Sequence, residues 1–250
     1  MLHYQQTGQG PDILLIHGLF GSLENLGMVT RALQTDFRVT AVDVRNHGRS
    51  FHHQDTSYDA MVEDMVHVMD HLDIDKSHVL GHSMGGKIAM ALALNHPTRV
   101  GKLVVADIAP VTYQAHHNQI FAGLSNVKLD AIQSRQDADK QLAAYVEEPG
   151  VRQFLLKNLE KTPSGFRWKM NLNVLKDKYA EILSSPESGT FEGQSLFIKG
   201  GNSNYILPEH REAIVSRFPN SSAKIIQGAG HWLHAEKSVA FNKIVLDFLV

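Results

Sequence analysis

The stretch Gly81-His82-Ser83-Met84-Gly85 decides how this sequence is interpreted. It follows a short apolar run, 78–80, and precedes a segment rich in alanine and leucine, 87–95, that ends before Pro97. A buried strand, a sharp turn and a helix are therefore predicted. In that setting the pattern G-x-S-x-G holds a serine in a strained conformation with an exposed hydroxyl. The N-terminus of the following helix would offer backbone N–H groups to a developing negative charge. Ser83 is thus the candidate nucleophile.

The rest of the chain alternates short apolar runs with segments of helix length. The runs are rich in β-branched residues and do not alternate strictly between apolar and polar, as expected for strands buried on both faces of a parallel sheet. They lie at 13–16, 39–42, 78–80, 103–106, 195–198 and 223–226. Segments between them, such as 59–72, carry apolar residues at helical spacing. This alternation predicts an α/β fold with a mostly parallel central sheet flanked by helices.

The alternation lapses between residues 111 and 189, where only helices are predicted. They are expected around 120–124, 137–146, 151–159 and 171–183. A helical insertion between two strands of an open sheet is most simply a cap over the carboxyl edge, where ligands bind. The sequence therefore predicts an α/β core formed by 1–110 and 190–250, and a helical cap formed by 111–189.

A serine nucleophile needs a base, and His231 is the preferred candidate among the 15 histidines. It lies in Gly228-Ala229-Gly230-His231-Trp232, directly after the last predicted strand, from which it can reach the end of a central strand. His234 is the main alternative, but it lies where the last helix should begin. The histidine pairs 52–53 and 116–117 have no carboxylate or third histidine at ligand spacing, so no metal site is predicted.

The acid that would orient this histidine has three candidates. No carboxylate follows the predicted strand 195–198 until Glu209. Asp107 lies instead at the end of the preceding strand, beside the nucleophile strand, and a charge at the tip of an apolar strand requires a partner. Asp107 is therefore preferred, with Asp43 and Glu209 as the alternatives.

A loop after the first predicted strand can complete an oxyanion hole. The sequence His17-Gly18-Leu19-Phe20-Gly21-Ser22 can aim a backbone N–H at a substrate bound to the nucleophile. Together with the Met84 N–H it would supply two donors. Leu19 is the preferred second donor and Phe20 is the alternative.

A second polar loop, Asp43-Val44-Arg45-Asn46-His47-Gly48-Arg49-Ser50, follows the next strand. Its expected role is structural: a hydrogen-bonded turn that supports the oxyanion loop. Direct contact of Arg45 or Asn46 with a substrate is the less favoured interpretation.

Composition excludes several classes of function. Lys and Arg number 24 and Asp and Glu 26, a formal charge of −2, so no nucleic-acid or anionic-membrane partner is indicated. The absence of cysteine excludes disulfides, thiolate metal sites and a cysteine nucleophile. The sequence shows neither a secretory leader nor an apolar run of about 18 residues. We therefore expect a cytoplasmic protein without membrane insertion, as a monomer or small homo-oligomer.

Taken together, H-G-x-x-G-S, D-x-R-x-H-G-x-S, G-H-S-M-G-G and the late G-x-G-H resemble the α/β-hydrolase superfamily over essentially the whole chain. The stretches 17–22, 43–48, 81–87 and 107–110 are more specifically similar to the bacterial YbfF-type esterases. This resemblance implies a small-molecule ester or acyl-CoA thioester substrate, no metal and no organic cofactor. It also places the triad acid where Asp107 lies. A small-ligand receptor and a C–C hydrolase or lyase are the alternatives, because this scaffold hosts several functions.

Overall fold

The computed structural model describes residues 1–186 and 189–250. Its strands, in chain order, are β1 (Tyr4–Thr7), β2 (Asp12–Ile16), β3 (Arg38–Val42), β4 (Ser77–His82), β5 (Val100–Ala106), β6 (Leu159–Thr162), β7 (Gly165–Trp168), β8 (Ser195–Gly200) and β9 (Ser221–Ile226). Seven of them form one sheet in the order β1-β3-β2-β4-β5-β8-β9. Every neighbouring pair is parallel except β1 with β3. The predicted fold class is confirmed.

Helices cover both faces of this sheet. They are α1 (Gly27–Leu33), α2 (Tyr58–His71), α3 (Met84–Asn95), α4 (Asn118–Asn126), α5 (Arg135–Leu142), α6 (Pro149–Leu156), α7 (Leu172–Asp177), α8 (Tyr179–Leu183), α9 (Arg211–Arg217), α10 (Leu233–Glu236) and α11 (Ser238–Leu249). Leu14 and Ile16 of β2 pack with α2 and α3, whereas Ile13 and Leu15 pack with α1 and α11. Successive side chains of a strand point to opposite faces, so one apolar run serves two cores. In the described ranges, no helix is long and apolar enough to cross a membrane.

The segment between β5 and β8 differs from the predicted set of helices. The expectation of helices alone is wrong, because β6 and β7 pair as an antiparallel hairpin with Leu159 opposite Trp168. Pro163-Ser164 is the two-residue connection of this hairpin. Accordingly, α6 ends at Leu156 and does not continue to residue 159.

The helix expected over 171–183 is also divided. It forms α7 and α8, with Lys178 between them. Residues 187 and 188 of the predicted cap lie outside the described residues. We refer to residues 111–189 as the inserted segment.

Lys87 connects α3 to the end of the inserted segment. Its side chain is buried, and Nζ donates to the carbonyl oxygens of Leu183 (2.7 Å) and Ser184 (2.6 Å), where α8 ends. An ammonium group suits the carbonyl-rich C-terminus of a helix. The buried position nevertheless lowers the pKa of Lys87 to about 7.

We expect Lys87 to make the protein more stable as pH rises from about 7 to 10.5, the ordinary pKa of lysine. Across this window the unfolded chain binds a proton that the folded protein has released, so raising the pH removes a preference for unfolding. The free energy of unfolding of the wild type, relative to Lys87→Met, should therefore rise by up to about 1.4 kcal/mol per pH unit. Urea denaturation between pH 7 and 10 measures this difference. Parallel pH dependences for the two proteins would contradict the assignment.

Candidate active site

Ser83 lies at the turn between β4 and α3, and its backbone is strained. Its φ is 55° and its ψ −122°, a conformation that non-glycine residues rarely adopt. The flanking glycines are sterically required: a Cβ on Gly81 would lie 2.1 Å from the Gly85 oxygen, and one on Gly85 would lie 2.2 Å from the oxygen that ends β2. The helix begins at Met84 and not near Lys87, so the serine is directly followed by the helix N-terminus.

His231 lies in the loop between β9 and α10, beside Ser83. The Ser83 hydroxyl donates to His231 Nε2 across 3.0 Å. The imidazole stacks on the ring of Tyr205, with centroids 3.8 Å apart and planes 14° apart. The His231 carbonyl oxygen accepts from His82 Nε2 at 2.8 Å. Contacts to both ring and backbone therefore hold Nε2 towards the serine hydroxyl.

Asp107 continues this chain of hydrogen bonds at the end of β5. It is fully buried, and its φ is 54°. Its Oδ2 accepts from His231 Nδ1 at 2.8 Å and also from the Ser203 hydroxyl, while Oδ1 accepts from the Gly200 N–H at 2.9 Å. Donors on both oxygens satisfy the buried carboxylate and fix its orientation.

The two alternative acids lie elsewhere. The Asp43 carboxylate accepts from the N–H groups of Leu23 and Arg49, each at 2.8 Å, and so holds two loops together. Glu209 is exposed on the surface. Of the three carboxylates considered, Asp107 is the one that contacts the histidine.

His234, the alternative base, packs behind His82. The His82 ring lies 4.4 Å from the His234 ring and 4.8 Å from the His231 ring, centroid to centroid. Burial lowers the pKa of His234 to about 4, so it is neutral near pH 7. Its Nδ1 has no hydrogen-bond partner among the described residues. The hydrogen bond from Ser83 goes to His231 and not to His234.

Two backbone N–H groups beside Ser83 remain available. Leu19 and Ser83 line one cavity, and the Leu19 N–H donates to no other group of the described chain. Met84 is the first residue of α3, so its N–H has no acceptor within the helix. The Phe20 N–H, the alternative donor, is engaged with His47 Nε2 at 3.2 Å. Burial lowers the pKa of His47 to about 3, so this imidazole is a neutral acceptor.

The polar turn after β3 is held by its own protein contacts. Arg45 Nε donates to Asp64 Oδ2 at 2.6 Å, and its other nitrogens donate to the carbonyl oxygens of Asp55 and Ala60 at 2.9 Å. The Asn46 side chain exchanges two hydrogen bonds with the backbone of His53. These contacts give Arg45 and Asn46 a structural role and leave little of either for a substrate.

A cavity of about 720 Å³, including its open mouth, lies over Ser83. Most of its wall is apolar, and the inserted segment contributes Ile120, Val151, Phe154 and Leu155. His117 also lines it, and burial lowers the pKa of His117 to about 3. In the part of the chain that the structure describes, no cluster of three His, Cys, Asp or Glu side chains could hold a metal ion.

Several supporting residues were not anticipated from the sequence. Ser203 and Tyr205 lie in the polar loop after β8, at the same sheet edge as the nucleophile, and that position could have indicated them. Trp232 lines the cavity next to His231 and could have been inferred from its neighbour. The contact between His47 and Phe20 joins residues 27 apart in the chain, and no motif signals it.

Comparison with known proteins identifies the family. Residues 11–238 match the family described as the α/β hydrolase fold. The chain belongs to the α/β-hydrolase family. This α/β-hydrolase is 42% identical over 246 residues to "Esterase YbfF" of Escherichia coli (strain K12), covering 98% of the chain and 95% of that protein. It is 41% identical over 248 residues to "sn-1-specific diacylglycerol lipase ABHD11" of Mus musculus, covering 96% of the chain and 81% of that protein.

Solved structures give the same result. A "Marine microorganism esterase" matches this α/β-hydrolase with a TM-score of 0.97 at 35% identity, covering 99% of the chain and 98% of that structure. The resemblance inferred from the motifs is therefore confirmed.

Proposed function

We propose that this α/β-hydrolase is a serine-dependent carboxylic ester hydrolase. The observation that carries the proposal is the continuous chain of hydrogen bonds from Ser83 through His231 to Asp107. The available N–H groups of Leu19 and Met84 beside the serine support it, since acyl transfer needs donors for a developing oxyanion. Two relatives of this chain are named as an esterase and a lipase, which supports the same reaction class.

The first half-reaction forms an acyl-enzyme. His231 Nε2 accepts the hydroxyl proton as Ser83 Oγ attacks the ester carbonyl carbon, and the carbonyl electron pair moves onto the oxygen. The N–H groups of Leu19 and Met84 stabilise that oxyanion. When the carbonyl re-forms, the bond to the leaving alcohol breaks and the alcohol takes the proton from His231. Asp107 holds Nδ1–H, so the Nε2 lone pair faces the serine.

The second half-reaction releases the acid. His231 removes a proton from water, the hydroxide attacks the acyl carbonyl carbon, and Ser83 leaves with the proton returned by His231. The same sequence applies to an acyl-CoA thioester, with a thiol as the leaving group. Arg152 and Arg167 of the inserted segment are paired with Asp139 and Glu160, so these two arginines do not indicate a phosphate site.

Hydrolysis of p-nitrophenyl esters from acetate to palmitate, together with a panel of acyl-CoAs, tests the proposal. We expect turnover of a short-chain ester well above once per minute, unaffected by EDTA. Binding of esters without turnover would favour a small-ligand receptor and contradict the proposal. Cleavage of a vinylogous 1,5-diketone in preference to every ester would favour a C–C hydrolase instead.

We also propose that the inserted segment caps the site and sets acyl-chain preference. The support is its contribution to the apolar wall of the cavity over Ser83, in which Phe154 is half-buried. A pocket of this kind should prefer short to medium chains.

Phe154→Ala is expected to shift that preference towards longer chains. Removing the ring enlarges the cavity. Each additional methylene of the acyl chain that such a pocket accommodates raises kcat/KM by about 10-fold or more. We therefore expect the octanoate-to-acetate ratio of kcat/KM to rise by about 10-fold. Phe166→Ala is the matched control, because Phe166 belongs to the inserted segment but does not line this cavity. An unchanged profile in Phe154→Ala, or an equal shift in Phe166→Ala, would contradict a capping role.

A further inference from the structure

The loop that carries Leu19 contains a strained residue. The Gly21 N–H donates to the Gly18 oxygen at 3.0 Å, which closes a β-turn with Leu19 and Phe20 at its centre. Phe20 has a φ of 61° although it is not glycine. A positive φ at this third turn position is characteristic of type II turns and favours glycine. The turn therefore needs outside contacts to keep this conformation.

The α/β core supplies one of these contacts and the inserted segment supplies the others. The Phe20 N–H donates to His47 Nε2 at 3.2 Å, from the core. The Phe20 carbonyl oxygen accepts from Asn158 Nδ2 at 2.6 Å, from the inserted segment. The Phe20 ring packs edge-on against Phe121 of α4, with centroids 5.0 Å apart. Phe20 is thus held at its N–H, its carbonyl and its ring.

Asn158 is itself fixed in place. It is 2% exposed and lies between α6 and β6. Its Nδ2 also donates to the Leu155 oxygen at 3.1 Å. The backbone carbonyl oxygen of Asn158 accepts from the Lys169 N–H at 2.8 Å. The end of α6 and the end of the hairpin therefore determine where the Asn158 amide lies. This amide reaches across 138 residues of sequence to the oxyanion loop.

We propose that Asn158 is a positioning residue for the oxyanion hole. By holding the Phe20 carbonyl it keeps the strained turn closed, and the turn keeps the Leu19 N–H aimed into the cavity over Ser83. This inference rests on the proposed function, since it assigns a task to the Leu19 N–H. Its consequence is that the inserted segment sets the rate of the chemical step as well as the choice of acyl chain.

Two substitutions test the role of Asn158. Asn158→Ala removes the donor, and Asn158→Asp keeps the shape but places an oxygen against the Phe20 carbonyl. The matched control is Asn126→Ala, an exposed asparagine of the same segment whose Nδ2 donates to the Ala122 oxygen at 2.8 Å. Active sites are titrated with a fluorophosphonate so that kcat refers to folded protein. The substrate is p-nitrophenyl butyrate, and an alkyl trifluoromethyl ketone serves as the probe that forms a tetrahedral oxyanion on the serine.

We expect both Asn158 variants to lose about 10- to 100-fold in kcat per titrated site, because the donor is misplaced and not removed. KM should change by less than about threefold, and affinity for the trifluoromethyl ketone should fall in parallel with kcat/KM. Asn126→Ala should match the wild type. A lower titrated fraction with an unchanged kcat per site would give Asn158 a folding role only and overturn the inference. Unchanged ketone affinity would overturn it too. A wild type that hydrolyses no ester would refute the proposed function itself. That result differs from those that would overturn only the role of Asn158, so the two failures can be distinguished.

Discussion

Replacing Ser83 by alanine should lower kcat for ester hydrolysis by about 10⁶-fold, the scale seen when a triad serine is removed. Alanine has no Oγ to attack the carbonyl, so only binding and the oxyanion donors remain to help water. The fold should persist, because the backbone of an alanine at φ 55° is strained no more than that of Ser83 and the variant loses only the hydrogen bond to His231. The measurement is kcat for p-nitrophenyl butyrate, with labelling by a fluorophosphonate as a second readout.

The matched control for this variant is Ser77→Ala. Ser77 is a buried serine at the other end of β4, and its hydroxyl donates to the His78 oxygen. We expect it to retain near wild-type kcat and full labelling. Fluorophosphonate labelling that persists in Ser83→Ala would show that another residue is the nucleophile.

Asp107→Asn should lower kcat by about 10³- to 10⁴-fold while leaving KM little changed. The reason is that the two carboxylate oxygens of Asp107 face different hydrogen-bond donors. Because Oδ1 faces the Gly200 N–H, the amide nitrogen of an asparagine must take the Oδ2 place, next to His231 Nδ1. It would then donate to Nδ1, so the imidazole would carry its proton on Nε2 and could not accept one from Ser83. Steady-state kinetics of the purified variant, normalised by circular dichroism, test this result.

Glu209→Gln provides the comparison for the acid. Glu209 is an exposed carboxylate in the loop that follows β8, so its replacement should leave kcat within about twofold of the wild type, as for most surface changes. If this variant proved as damaging as Asp107→Asn, the choice of acid would be wrong.

The sequence predicts those strands whose pattern of apolar residues follows directly from their burial in the sheet. The buried runs that became β2 to β5 and β8 are apolar because both faces of a parallel strand are covered. The run at 223–226 was expected to be buried in the same way, but β9 is an edge strand and is mostly exposed. In contrast, β1 reads Tyr-Gln-Gln-Thr, since an edge strand with half-exposed side chains needs no apolar run. The β6–β7 hairpin was missed for a related reason: its four-residue strands carry Glu, Lys and Arg, and only their pairing makes them strands.

The candidate site likewise contains residues that the sequence predicts and residues that it does not. Ser83, Asp107 and His231 each follow a strand, so topology alone brings them to one edge of the sheet. Asn158, in contrast, contacts Phe20 across 138 residues of sequence, and no periodicity or motif indicates such a contact.

Positive φ values at non-glycine residues bear on how this protein could be engineered. In the described chain they occur at Phe20, Asn46, Asp73, Ser83 and Asp107. Each costs about 1 to 3 kcal/mol, and all but Asp73 follow strands at the sheet edge that carries the cavity. Glycine at position 83 would relieve this strain but would remove the proposed nucleophile, so a library screened for heat resistance alone would favour inactive protein there. Asp73 precedes β4 while Ser83 follows it, so thermal tolerance can be sought at the far end of that strand without sacrificing turnover.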